Sequence, residues 1–258
     1  MEQVTDDKAI ERERYEARGQ QVLASAVHPP VDGAASLKPV LRAPYTHYEN
    51  ALRTLLRSGL SVLELGAGMG EHTGVLLRSG AAVTCLDIAP AALSTIDRRF
   101  AGETNRPNTV LGDIEALPFP SASIDIIACA GALSYGDPRQ VNREIFRVLR
   151  PGGSLVCVDS LNHNWIYRLN RWRHFIRGER SRSTLLRIPT LNRLQSLSAP
   201  FSTVDISYFG ALTWALAIIE PLVGPEAAAS ISDRLDAAVS VRRSAFKFVL
   251  VARNYHPG

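Results

Sequence analysis

Three glycines at alternate positions, Gly66, Gly68 and Gly70, follow an apolar run that ends in an acid, in VLELGAGMGEHT (62–73). Glycine carries no Cβ, so a turn built this way lets a ligand approach the backbone with no side chain between. A plain tight turn needs neither three alternate glycines nor the acid, Glu64, ahead of them. The dinucleotide fingerprint G-x-G-x-x-G has its third glycine where Glu71 stands here. An acid at that helix start opposes a pyrophosphate. The segment therefore suits a ligand without a diphosphate, best of all one with a positive centre. Asp87 and Asp113 follow two further apolar runs. From the residues alone, Asp87 could equally cap the following helix, Asp113 could be an ordinary loop acid, and Glu64 could tie down the loop by backbone bonds. No His, Cys, Asp or Glu cluster has metal-ligand spacing.

Elements must hold these residues. SVLEL (61–65), AVTCLD (82–87), TVL (109–111), IDIIACA (124–130) and SLVCVD (154–159) read as short buried strands. Between them the pattern predicts helices over Gly70–Arg78, over Pro90–Phe100 with proline at its favoured first position, and over Asp137–Arg150. Val141, Ile145, Val148 and Leu149 mark the buried face of the last, and RPGG (150–153) stops it. Unbroken apolar strands separated by helices indicate a parallel sheet covered on both faces. Such sheets bind ligands at the carboxyl ends of their strands, where the strand order reverses. Ahead of this core, Glu11–Ser25 and Tyr45–Arg57 read as helices, and His28–Pro44, with Pro29, Pro30, Gly33, Pro39 and Pro44, as a loop or linker. After Asp159 the alternation breaks. TVDISYFG (203–210) and FKFVLVARN (246–254) read as strands and Glu226–Val241 as a helix. ALTWALAIIEPLVG (211–224) is strongly apolar but too short to span a bilayer.

Composition bounds the function. At 258 residues, 46% apolar and 21% charged, the chain suits one large globular domain or a domain with an insertion. No run of eighteen apolar residues occurs, and the charged start lacks the apolar core of a secretory signal. Cys85, Cys129 and Cys157 are scattered through apolar runs and read as small buried residues of a cytoplasmic protein. The net charge of +4 is mild but uneven. Arg168, Arg171, Arg173, Arg177, Arg180, Arg182, Arg187 and Arg193 stand against one acid, Glu179. They fit a solvated face or an anionic partner, and the interleaved Trp165, Tyr167, Trp172 and Phe175 could stack bases. No RNA-binding module is appended, so nucleic acid is the weaker reading.

Taken in order, these pieces resemble the class I S-adenosylmethionine-dependent methyltransferases. Glu64-x-Gly66-x-Gly68-x-Gly70 after a strand is similar to their first motif. GDIEALPF (112–119) resembles the third, IDIIACAGALSY (124–135) the fourth strand and its loop, and RVLRPGGSLVCVD (147–159) the helix, turn and fifth strand. The resemblance runs from about Tyr45 to Asp159 and takes in the last strand. Each motif is weak alone; their order carries it. It implies an α/β fold with a seven-stranded, mostly parallel doubly wound sheet, the last strand antiparallel, and helical cap insertions. It implies S-adenosyl-L-methionine as cofactor and S-adenosyl-L-homocysteine as product. Glu64, Gly66, Ala67 and Gly68 would form the loop against it, Asp87 would take the ribose hydroxyls with Ile88 on the adenine, and Asp113 would take the adenine amino group with Ile114 on the ring. Ala130 and Gly131 would line the methionine part.

The expected organisation is an N-terminal helix and linker acting as a lid (1–44), a cofactor-binding core (45–160), an arginine-rich cap (161–202), and the last two strands (203–258) interrupted by an apolar helical insertion (211–243). Tyr15, Tyr45 and Tyr48 are candidates for cofactor contact from the lid side. Acceptor residues belong after the fourth and fifth strands: Tyr135, His163, Asn164 and Arg168. His163 is the candidate base, with an ordinary pKa of about 6.5, and Tyr135 the second catalytic candidate. Each has a plainer reading, a loop hydrogen bond for His163 and packing for Tyr135. The expected acceptor is a small molecule, anionic if the arginines serve it, with a sugar or polysaccharide-related hydroxyl first. A secondary-metabolite amine or hydroxyl, RNA, and a cofactor-binding protein without transfer chemistry stay open. Segment 211–224 reads as a homodimer contact or a cap over the substrate.

Overall fold

β1 (Ser61–Leu65), β2 (Ala82–Asp87), β3 (Asn108–Leu111), β4 (Ile124–Ala130), β5 (Leu149–Ser160), β6 (Phe201–Phe209) and β7 (Lys247–Tyr255) form one sheet in the order β3-β2-β1-β4-β5-β7-β6. The structure is a computed structural model and describes residues 2–25, 33–163, 167, 172, 182–210, 220–238, 242 and 244–257. β1 to β5 pair in parallel, and β7 runs antiparallel to both β5 and β6. This is the doubly wound sheet the sequence implies. Its order reverses between β1 and β4, so a crevice opens at their carboxyl ends. Leu65 is level with Leu86 on one side and Cys129 on the other, which brings Gly66, Asp87 and Ala130 to the same rim.

Successive strand residues point to opposite faces, and both faces are covered by helices. Leu63, Leu65, Ile127, Cys129, Cys157 and Leu250 pack with Val141, Ile145 and Val148 of α5 (Pro138–Val148) and Leu194 and Leu197 of α7 (Leu191–Ser198). Val62, Val83, Cys85, Ile126, Ala128 and Val156 pack with Tyr48 and Leu52 of α2 (Pro39–Leu55), Leu76 of α3 (Thr73–Leu77) and Ile96 of α4 (Pro90–Arg99). The three cysteines are buried and free. α6 (Arg182–Arg187) precedes α7, and α8 (Pro225–Ala238) lies between β6 and β7.

α1 (Glu2–Ala24) lies on α4 beside the crevice. A Cβ on Gly19 would come 2.8 Å from the Ala91 carbonyl carbon, so the two helices meet almost backbone to backbone. Glu16 Oε2 accepts the Ala91 N–H at 2.8 Å in the first turn of α4, where backbone donors lack helical partners.

Three local expectations are corrected. α2 begins at Pro39, not Tyr45, and carries Pro44 inside it. The buried face Pro44, Tyr48 and Leu52 outweighs the hydrogen bond that the proline removes. RPGG does not stand outside the sheet, because β5 starts at Leu149. Ile124 pairs with Leu149 and Ile126 with Ser154, so the turn-like residues form an irregularity within the strand. Arg150 Nη1 holds both oxygens of Asp125 there, at 2.7 and 2.8 Å. α3 is five residues long, since the turn before it extends to His72. Residues 211–219 of the apolar segment lie outside the described residues.

Candidate functional site

A cavity of about 270 Å³ occupies the crevice between β1 and β4. The turn after β1 forms one wall. A Cβ on Gly66, at φ +67°, would lie 2.4 Å from the Ala132 Cβ, so only glycine lets this turn close against the loop after β4. The Gly66 and Ala67 N–H groups both donate to Leu86 O, at 2.9 and 3.0 Å. Gly68 N donates to Asp87 Oδ2 at 2.8 Å, and Ala89 N to Oδ1 at 3.0 Å. Asp87 is 7% exposed, and burial pushes its pKa up. Each carboxylate oxygen keeps acceptor capacity beyond its one backbone bond, so Asp87 can hold the turn and take a pair of ligand hydroxyls together.

Glu64, 2% exposed, accepts from Thr73 Oγ1 at 2.5 Å and from Cys85 Sγ at 3.3 Å. Burial pushes its pKa up to about 7, against the pull of those two bonds. Further along, Ile88, Gly112, Asp113 and Ile114 line the cavity. Lys8 of α1 crosses to this end, donating to Asp113 Oδ2 at 2.6 Å and Glu115 Oε2 at 2.5 Å. Burial lowers the Lys8 pKa, but the two carboxylates outweigh it and leave the ammonium above its ordinary value.

At the other end stands a cluster of His72, Glu49, Tyr45 and Lys247. His72 Nδ1 meets Glu49 Oε1 at 2.9 Å, and the Tyr45 ring stacks on the imidazole with centroids 5.2 Å apart. Glu49 also accepts from Ala34 N at 2.7 Å. Burial pushes the Glu49 pKa up, but these bonds more than offset it and hold the carboxyl low. Lys247 Nζ donates to Tyr45 Oη at 3.1 Å. The outer wall is Tyr135, whose Oη is 2.9 Å from Tyr15 Oη and 3.3 Å from Arg14 Nη2. Burial pushes the Tyr135 phenol far up, so it stays protonated. Five carboxylates line the cavity, Glu11, Glu64, Glu71, Asp87 and Asp113, against Lys8, Arg18 and His72. The excess of acid suits a ligand with positive charge.

All ten residues expected to touch a cofactor, Glu64, Gly66, Ala67, Gly68, Asp87, Ile88, Asp113, Ile114, Ala130 and Gly131, line this one cavity, and Tyr135 lines it with them. Tyr15 and Tyr45 do so too, whereas Tyr48 is fully buried in the core. His163 does not. It is exposed, and its Nε2 accepts the Leu191 N–H at 2.8 Å at the start of α7. That bond is a loop hydrogen bond of the kind the plainer reading of His163 describes. Asn164 and Arg168 lie outside the described residues, as do Arg171, Arg173, Arg177 and Arg180. Of the arginine cluster, Arg193 is buried and Arg187 Nη1 is 4.0 Å from Glu115. Lys8, Glu11, Glu49 and His72 were missed. Only His72 carried a hint, from its place directly after the glycine turn.

Residues 63–157 match a family model described as a methyltransferase domain. A demethylmenaquinone methyltransferase from Clavibacter sepedonicus is 36% identical over 103 residues, 40% of this chain and 42% of that protein. A malonyl-acyl-carrier-protein O-methyltransferase from Paenibacillus sp. (strain JDR-2) is 40% identical over 103 residues, 37% of each chain. The chain thus spans about two fifths of the length of these curated relatives. The crystal structure of geranyl diphosphate C-methyltransferase from Streptomyces coelicolor A3(2), in complex with Mg2+, geranyl diphosphate and S-adenosyl-L-homocysteine, superposes with a TM-score of 0.55 at 17% identity, over 82% of this chain and 81% of that one. Residues 63–157 are thus similar to a methyltransferase domain, and the chain shares the fold of the Streptomyces structure.

Proposed function

We propose that the chain binds S-adenosyl-L-methionine in this cavity and transfers its methyl group to a small molecule. The observation that carries the reading is the Asp87 carboxylate, locked to the glycine turn with acceptor capacity left over, in a cavity whose charged side chains are mainly acids. A nucleoside with a vicinal diol and a cationic sulfur fits both features. A dinucleotide diphosphate offers the diol but sets two further negative charges among the acids.

When bound, S-adenosyl-L-methionine supplies a methyl group already activated by positive sulfur. The chain's own work is to hold and align. Asp87 accepts the ribose hydroxyls. Asp113 accepts the adenine amino group in competition with Lys8, and Ile88 and Ile114 pack on the ring. Glu64 fixes the turn and adds negative charge at the amino-acid end. Tyr15, Tyr45 and Tyr135 exclude water from the remaining wall. Positioning of this kind supplies roughly 7–11 kcal/mol of a displacement barrier. The Tyr135 phenol, kept protonated by burial, is a hydrogen-bond donor to the acceptor and not a base.

The acceptor we favour is a hydroxyl on a ring, with a sugar hydroxyl first. A quinol-type ring is the second reading, favoured by the aromatic wall of Tyr15, Tyr45 and Tyr135 and by the activity in the name of the Clavibacter relative. Calorimetry with S-adenosyl-L-homocysteine tests the cofactor, and one site per chain is expected. No heat, or occupancy by a nicotinamide dinucleotide, would end the reading. Transfer of labelled methyl to a panel of sugars, quinols, amines and RNA tests the acceptor. Binding without transfer to any of them would favour a cofactor-binding protein that lacks transfer chemistry.

A further inference from the structure

Leu133 lies in the loop after β4, fully buried, and charged side chains satisfy both of its backbone groups. Its N–H donates to Asp159 Oδ2 at 3.1 Å. Its carbonyl accepts from Arg193 Nη1 at 2.8 Å. Asp159 is near the end of β5, 4% exposed, and its other oxygen accepts Ser160 N at 2.6 Å. Arg193 comes from α7, 8% exposed, and its Nη1 also donates to Arg187 O at 3.0 Å, at the end of α6. The two charges therefore meet through the peptide groups of a residue beyond the last ladder bond of β4, where no strand serves it.

Neither side chain lines the cavity. The loop between them does, through Ala130, Gly131, Ala132 and Tyr135. Gly131, at φ +81°, donates its N–H to Val158 O at 2.8 Å, so the loop is anchored to β5 at its start and to Asp159 and Arg193 two residues later.

A buried carboxylate and guanidinium lose solvation that their mutual attraction need not restore, and an apolar pair of the same volume often fills such a space at no loss of stability. Arg193 Nε and Nη2 are buried with no hydrogen-bond partner among the described residues. The guanidinium is thus not placed to satisfy itself. What the pair achieves, and apolar side chains cannot, is to hold one residue at both its backbone donor and its backbone acceptor.

We propose that Asp159 and Arg193 are positioning residues, fixing the 130–135 wall of the cofactor cavity and tying the α6–α7 segment to it. The inference rests on the methyltransferase reading and adds to it. In the sequence Asp159 ends the fifth strand and Arg193 belongs to arginines that fit a solvated face or an anionic partner; the geometry gives both a role behind the wall.

The test uses the full chain with Arg193→Met, Arg193→Lys and Asp159→Asn. The readouts are S-adenosyl-L-homocysteine affinity, hydrogen exchange at the Leu133 amide, and melting temperature. Arg193→Met keeps the shape and removes the donors. It is expected to weaken binding more than threefold and to speed Leu133 exchange, with melting within a few degrees of the parent. Asp159→Asn is expected to do the same. Arg193→Lys, with one donor for the Leu133 carbonyl, is expected to recover most of the affinity, which a space-filling role would not predict. Binding within threefold of the parent in both Arg193→Met and Asp159→Asn overturns the proposal, as does loss of affinity that Arg193→Lys does not restore. If Arg193→Met fails to fold, Asp159→Asn and Arg193→Lys decide by the same threshold. A parent chain that binds no S-adenosyl-L-homocysteine would instead bring down the functional reading itself.

Discussion

Asp87 has a structural task and, in the function proposed, a binding one in the same carboxylate, and its two variants separate them. Asp87→Ala removes the ligand acceptor and the partners of Gly68 N and Ala89 N together. Charge-assisted bonds contribute roughly 1.5–3 kcal/mol each, so S-adenosyl-L-homocysteine affinity should fall more than tenfold by calorimetry, with some loss of stability. Asp87→Asn keeps one carbonyl oxygen and should melt closer to the parent while still binding worse. Glu64 sets a pH dependence. Its carboxyl titrates at an ordinary 4.5 when unfolded and at about 7 in the fold, because it is buried. The folded chain therefore holds the extra proton, and the stability linked to it is full below about 4.5 and lost as pH rises through about 7. The loss approaches roughly 3 kcal/mol, at 1.36 kcal/mol per unit. Glu64→Gln should melt higher than the parent at pH 8, and the gap should close by pH 5. Binding runs the other way. A cationic ligand prefers the carboxylate, so affinity should fall as pH drops through about 7, with proton release visible as buffer-dependent heats. Gln at 64 should abolish that slope.

At the scale of elements, α1 lends Lys8, Glu11, Tyr15 and Arg18 to the cavity lining. Lys8 holds Asp113 and Glu115, Tyr15 meets Tyr135, and Gly19 lets the helix rest directly on Ala91. We read α1 as the lid. Gly19→Val inserts a side chain where a single Cβ already lies 2.8 Å from backbone. Overpacking of this kind costs about 1–3 kcal/mol, enough to detach one helix without unfolding the sheet. Limited proteolysis should then cut within α1, and S-adenosyl-L-homocysteine should dissociate faster. An unchanged digestion pattern and release rate would argue against a lid. The helices and strands of the core were legible because each buries a face with its own period. α2 was misplaced because proline reads as punctuation locally, while the packing of Pro44, Tyr48 and Leu52 is a long-range matter. The start of β5 was misplaced for the same reason, since a bulge opposite Asp125 depends on the partner strand.

For the molecule as a whole, the segment after β5 is joined to the sheet through buried contacts, not simply laid over it. Arg193 reaches the loop after β4 and Thr184 Oγ1 donates to Glu11 of α1 at 2.9 Å, both buried, while within the segment the exposed His163 accepts from the first residue of α7. His163→Ala should therefore leave cofactor affinity within twofold and lower the melting temperature slightly, in keeping with one hydrogen bond of about 1 kcal/mol. A large fall in turnover at unchanged stability would restore it as a base. Among the described residues no helix is long and apolar enough to cross a membrane.

The sequence by itself determined the sheet, the glycine turn and the acids at the strand ends, because those features are local: a strand, its turn and the next helix lie within some twenty residues. It also carried the resemblance to a family, since the order of those pieces is itself a linear property. Only the tertiary structure decided which distant charges meet. Lys8 finds Asp113 across 105 residues, Glu49 finds His72 across 23, and Arg193 finds Leu133 across 60. A single charged side chain has no periodicity to announce its partner. Its place is set by where the packed elements leave it, and the same packing leaves His163 out of the cavity lining.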